Sequence, residues 1–392
     1  MSTYRPAIRT CITGMGMFCS LGPSAVDASA ASRAGIRRIR RLKSMSFALD
    51  PSFGREAVEP GPPPSGHLAP RTDGYTGLAN LTVLGSGALS DLLRQNPLCD
   101  AALSRCGFYL NLSDCYLLSA AACLPFEEDP PAESLSVKLE AFREEHGRDV
   151  IESVLRRTGI KILRTNCSLY FGGHAGLARL IEDACRKMHA GLIDRCIIGG
   201  IDSYVEPTFL KGAASLNLLK TSDNPVGFIG GEAAAFVLLE QMQVPPSSRP
   251  AARMEIIGLA YDRDRHSYIG RDPALGEGLA KAISGALAAG QASVSPGLVV
   301  ADLNGTERRA VDWSYAMLRL SSSLNLRETP VWIPALSFGD TGAAIGFQAL
   351  CLVKSGFERN YAPSDDAVAW FASDNGDRSA VYLMSDVCHG SK

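Results

Sequence analysis

Several function classes are excluded by what this sequence lacks. It has no excess of basic charge: 39 Lys and Arg stand against 41 Asp and Glu, a net charge of -2. A nucleic-acid or membrane-surface partner would require a basic surplus, so neither is expected. It has no long apolar run either. The best candidate, Phe347 to Val353, is broken by Gln348 and stops at Lys354, far short of the ~18 residues of a membrane-spanning helix. The opening residues MSTYRPAIRTCITGMG carry no apolar stretch after their basic residues. No secretory leader is expected, and the expected location is the cytoplasm. Eleven cysteines are scattered singly without a CxxC pair, and the six histidines do not cluster. A disulfide framework and a zinc site are therefore not expected, and no metal or cofactor is expected.

What is present is ordinary globular material: 46% hydrophobic residues, 38 Gly and 22 Pro in 392 residues. That length allows two ordinary domains or one large duplicated one. Ile8 to Thr13 reads as a buried strand entering a glycine turn at Gly14 to Gly16. Ser24 to Gly35 and Tyr75 to Arg94 read as helices, and Cys106 to Leu112 as a strand. Leu135 to Glu145 and Val150 to Thr158 read as two further helices. Residues 44–72, and a second stretch near 123–150, read as insertions. Another helix starts near His174 and stops at Gly191. Arg195 to Ile198 is a short strand, and VGFIGGEAAAFVLLE, Val226 to Glu240, reads as a bulge and an apolar strand. PPSSRP, Pro245 to Pro250, is the best linker, giving expected halves of 1–244 and 251–392. In the second half Met254 to Leu259 and Gly297 to Leu303 read as strands. Gly276 to Gly290 and Arg309 to Leu320 read as helices. Alternation of strand and helix indicates an α/β fold, yet no repeat is visible in the letters.

The stretch FGGHAGLARL, Phe171 to Leu180, sets a residue at a glycine turn just before a helix. Such a place suits a nucleophile, but the residue is His174. Together with ITGMGMFCSLG, CIIGGIDSY, VGFIGGEAAAFVLLE, ADLNGTERRAVDW and SFGDTGAAIG, this order of segments resembles the β-ketoacyl synthases of the thiolase superfamily. The resemblance covers nearly the whole chain. It implies a five-layered α-β-α-β-α fold from two similar halves, and a homodimer. The family uses a cysteine thiolate at a helix start and two histidines that stabilise oxyanion and enolate. Carried over by motif, the cysteine position is His174. The first histidine position is Asn304 in NGTER, and the second is Asp340 in GDTGAA. The family's lysine matches Ala335. Gly173, Phe371 and Ser373 take substrate-binding positions by the same resemblance.

With this set, decarboxylative condensation is expected to be lost. An ionised Asp340 would oppose a developing enolate. His174 at a helix N-terminus is expected to be neutral. One reading is a non-condensing partner for an acyl carrier protein, a CoA thioester, a synthase-like subunit or a secreted effector. A second is an acyltransferase or thioester hydrolase in which His174 and Asp340 act as general base. A third keeps an ordinary synthase with Cys167 as displaced nucleophile. A metal held by His174 and Asp340 lacks a third ligand. Glu232 reads as a buried, paired acid. The basic run Gly35 to Lys43 reads as a solvated turn or as a patch for an acidic partner.

Overall fold

The computed structural model describes residues 1–42, 64–114, 132–242, 254–270, 272–292 and 294–385, with 132–142 described for their backbone alone. The proposed linker Pro245 to Pro250 lies outside the described residues, as does most of the first insertion.

One set of strands runs in space as Thr10–Cys19, Gly230–Gln241, Arg195–Ser203, Cys106–Asn111 and Cys167–Tyr170. A second set runs as Met254–Arg263, Asp377–Ser385, Asp366–Ala372, Val299–Ala301 and Val331–Trp332. In each set the first three strands neighbour one another antiparallel and the last three parallel. The topology is thus repeated, although the letters are not. Among the described residues the two sets pair through Cys11 beside Glu255 and Ile12 beside Met254.

Between the sets lie the helices Leu177–His189 and Ile345–Glu358. Every residue from Ile345 to Phe357 is buried, as a helix packed on all sides must be. Their apolar side chains share one core with Ile12, Val237, Leu259 and Phe371 from both sets of strands. Helices Gly77–Gln95 and Ala132–Thr158 cover one outer face, where Leu84 and Val154 meet Phe108 and Phe236. Helices Glu277–Ala289 and Glu307–Leu320 cover the other, where Ile283 and Trp313 meet Val299 and Trp370. These are the five layers α-β-α-β-α. The described residues include no helix long and apolar enough to cross a membrane.

Two local expectations are corrected. Thr10–Cys19 is one continuous strand, with no turn at Gly14 to Gly16. A Cβ at Gly16 would stand 2.3 Å from the Ala88 carbonyl oxygen, so the glycine admits a helix backbone against the strand. Likewise Ala132–Thr158 is one helix, not two. Gly147 faces the Leu169 side chain, where a Cβ would come within 2.3 Å. By contrast, the stop at Gly191 is as expected: its φ is +69° and Leu192 N–H donates to the Lys187 carbonyl at 3.0 Å.

The central helices each open with a short 3-10 turn, Gly173–Gly176 and Gly342–Ala344. These turns pack against each other. The candidate site is there.

Candidate functional site

His174 sits in the first of these turns, at the C-terminal end of the Cys167–Tyr170 strand. Gly173 before it has a φ of +51°, a left-handed value that costs glycine little. Its carbonyl accepts from Asn111 Nδ2 at 2.7 Å, while Asn111 Oδ1 accepts from Gly172 N–H at 3.1 Å. Asn111 also donates to the Ala343 carbonyl at 3.2 Å. One buried amide therefore fastens both turns.

Asp340 approaches from the other half. Its backbone is fixed by bonds to Ile229 and Gly231 in the approach to the Gly230–Gln241 strand. Its carboxylate faces His174: Oδ1 lies 2.8 Å from His174 Nε2 and accepts from Gly342 N–H at 3.1 Å. Oδ2 accepts from Asn304 Nδ2 at 2.6 Å. Asn304 Oδ1 in turn accepts from the amide and hydroxyl of Thr306 at 3.1 and 2.8 Å. So the three residues that resemblance places together are in contact, in the order His174, Asp340, Asn304.

Ser373 completes the turn. Its hydroxyl accepts from Ala175 N–H at 3.0 Å and donates to the Gly172 carbonyl at 2.8 Å. Phe371 differs: it is fully buried in the core between the sheets. Ala335 begins the short helix Ala335–Phe338 and supplies no cation.

Electrostatics decide the state of the pair. Burial opposes a charged His174 most strongly, and Arg309 opposes it too. Asp340, Asp302 and the hydrogen bond to Asp340 outweigh both and lift its pKa to about 9. Burial likewise opposes the charge on Asp340, but His174, Arg309 and Asn304 hold it well below the usual carboxylate range. Both shifts favour a proton on His174 beside an ionised Asp340. The sequence suggested a neutral His174; the contact with Asp340 shifts it the other way. A helix dipole is worth only about 0.3–1 kcal/mol, too little against a buried carboxylate in direct contact.

Further charges lie beneath. Arg309 donates to Asp302 Oδ2 at 2.6 Å and to Asp374 Oδ1 at 3.2 Å. Asp302 also accepts from Ala372 N–H at 3.0 Å. Asp202 accepts from Ala343 N–H at 2.9 Å, and burial pushes its pKa up to about 7. Sequence reasoning missed Asn111, Asp202, Asp302 and Arg309. A signal existed for three of them: each lies at or just past the C-terminal end of a strand with a parallel neighbour, where α/β sites collect.

Access is narrow. His174 is 2% exposed and Asp340 3%. Asn304 is half-buried and lines a cleft of about 250 Å3 with Thr306, Arg308, Asp374 and Tyr268. The His174 ring meets the edge of Tyr204 at 5.8 Å between centroids, and Tyr204 stacks on Phe209 at 3.8 Å. Neither His174 nor Asp340 lines that cleft.

Cys167 is not part of the site. It starts the edge strand, donates to the Leu163 carbonyl at 3.6 Å, and lines a separate cavity with Arg143 and Leu155. Burial pushes its thiol up to about 11, so it is no ready thiolate. Glu232 is buried and fully hydrogen-bonded, accepting from Ala69 N–H, Thr72, Asn80 and Ser203. Among the described residues no three His, Cys, Asp or Glu side chains converge as metal ligands.

No protein-family model matches this sequence. Solved structures do match the fold. An oxazolomycin ketosynthase domain from Streptomyces albus superposes with a TM-score of 0.71 at 15% identity, over 97% of this chain and 75% of that one. The chain has the ketosynthase fold. A type II polyketide ketosynthase in complex with its acyl-carrier protein matches with a TM-score of 0.70 at 14% identity, over 96% of this chain and 99% of that one. The ishigamide ketosynthase/chain length factor matches with a TM-score of 0.65 at 17% identity, over 96% and 99%. Within this ketosynthase fold, the two central helix turns carry an ion pair.

Proposed function

We propose that this chain is a ketosynthase-like protein that does not condense, and that it acts as a binding or scaffolding partner. The observation that carries this reading is the closed ion pair of His174 and Asp340. A condensing site needs a nucleophile that reaches the thioester and donors aimed at the new negative charge. Here the nucleophile's position holds an imidazolium whose Nε2 is engaged by Asp340, and a carboxylate stands where enolate charge would develop. Asn304 alone remains at a cleft surface.

The partner in this proposal is an acyl carrier protein or a CoA thioester, presented to a homodimer in the cytoplasm; a synthase-like subunit or a secreted effector are the other protein partners of this reading. A carrier protein is favoured because a structure of the same fold is a complex with one.

The thioesterase-like reading rests on a different feature, the 2.8 Å contact of His174 with Asp340. Such a contact orients a base. A general base must also be unprotonated near neutral pH, and His174 with a pKa of about 9 is not.

Intact-protein mass spectrometry after incubation with acyl-CoA and acyl-carrier thioesters separates these. The expected result is no adduct and no consumption of thioester, with retention of the carrier protein on immobilised chain. An adduct on Cys167 would instead make this an ordinary synthase. Thioester loss abolished in His174→Ala and Asp340→Asn would make it a hydrolase.

A further inference from the structure

The basic run after the first helix borders a cavity that the ketosynthase-like site does not use. The helix Ala25–Arg33 and the strand Val331–Trp332 enclose about 420 Å3, a size suited to a small ligand. One wall is cationic, with Arg33 and Arg37. The lining also has an apolar part, with Trp332, Ile333 and Leu336. A neighbouring cavity of about 240 Å3 shares Arg33 and Tyr361 and adds Arg359. No carboxylate lines either cavity among the described residues.

Three observations point to an occupant. First, Arg33, Arg37 and Arg359 have no carboxylate partner among the described residues, although Arg33 stands 4.5 Å over the Tyr361 ring. Second, Ser29 lines the larger cavity, is 0% exposed, and its hydroxyl has no hydrogen-bond partner. A buried hydroxyl left unpaired is costly, and a ligand acceptor would satisfy it. Third, Leu336 is 51% exposed and Val331 41%, at the rim of the same cavity. Trp332 and Tyr361 stack at 5.9 Å and form a rigid floor.

We propose that this cavity binds an amphipathic organic anion. Its carboxylate or phosphate head lies on Arg33 and Arg37 and accepts from Ser29. Its apolar body lies along Trp332 and Leu336. Paired guanidiniums suit either oxyanion, while the apolar wall excludes a bare inorganic ion as the preferred ligand.

Decanoate, decyl phosphate, inorganic phosphate and decylamine are titrated into the full chain by calorimetry, with Trp332 fluorescence recorded alongside. The expected result is saturable one-site binding of the decyl anions, much weaker binding of inorganic phosphate, and none of decylamine. Preference for decyl phosphate assigns a phosphate head, and preference for decanoate a carboxylate. Removing both cations in Arg33→Ala/Arg37→Ala should weaken binding by roughly tenfold or more, because charge-assisted hydrogen bonds are lost. Leu336→Glu should do the same from the apolar side, and Arg33→Lys/Arg37→Lys should retain part of the affinity. Melting curves establish that each variant is folded. The proposal fails if neither decyl anion saturates, if decylamine binds as well, or if folded Arg33→Ala/Arg37→Ala and Leu336→Glu bind as the parent does.

Discussion

His174 Nε2 lies 2.8 Å from Asp340 Oδ1, and the two residues belong to different halves of the molecule. The contact ties together the turns that open the two central helices. Removing a buried pair whole costs little, whereas removing one partner strands the other. That asymmetry governs how the site responds to substitution.

His174→Ala leaves Asp340 buried beside Asn304 without its cation. A loss of about 3–5 kcal/mol in unfolding free energy is expected. Asp340→Asn should cost less, about 1–3 kcal/mol, because a buried imidazole can release its proton. Urea denaturation of both variants measures the order, and equal losses would contradict a charged pair.

Stability should also depend on pH in a defined direction. His174 has a folded pKa of about 9 against an ordinary 6.5, so the folded state binds this proton more tightly. Its contribution is complete below pH 6.5 and is lost as pH rises through about 9. Asp340 acts at the other end: its contribution is present above the ordinary value of 3.8 and is lost as pH falls through its lowered folded value. Relative to His174→Gln, the parent should lose about 3 kcal/mol of advantage between neutral and strongly alkaline pH. Urea midpoints of both proteins from pH 6 to 10 check this, and a constant difference would refute it.

His174→Cys should not restore condensation. The new thiol would face an ionised Asp340, and neither Asn304 nor Asp340 replaces the imidazoles that stabilise an enolate. Release of labelled carbon dioxide from malonyl thioester should stay at background. Product formation by this single variant would mean that the positions of Asn304 and Asp340 are not disabling.

Ser373→Ala should loosen the His174 turn. The hydroxyl serves both Ala175 N–H and the Gly172 carbonyl, so its loss leaves two backbone groups unpaired. About 1–3 kcal/mol is expected, read by thermal melting. A melting temperature equal to the parent's would mean that water replaces the hydroxyl.

Much of the fold is legible in the sequence because it is local. Gly191 ends a helix by its own φ, and the run Gly230–Gln241 is apolar enough to declare a buried strand. Gly16 misleads because its purpose lies in a neighbour, the Ala88 carbonyl. The repeat of strand order is a property of pairing, and no letter encodes it. The same division holds at the site. His174, Asn304 and Asp340 stand in recognisable segments. Asn111 and Asp202 come from separate strands and meet at Ala343 only after folding. The protonation of His174 escaped for that reason too, since it depends on a contact across 166 positions of chain.

The ion pair also constrains where this sequence can go. Cysteine at 174 and histidine at 340 are separate substitutions, and neither alone keeps the contact. The first strands a carboxylate; the second sets two imidazoles together without the anion. Natural domains hold only about 5–15 kcal/mol in reserve, so the step that strands a carboxylate draws on a large part of that margin. The pair therefore couples the two positions: the residue at one sets what the other can tolerate.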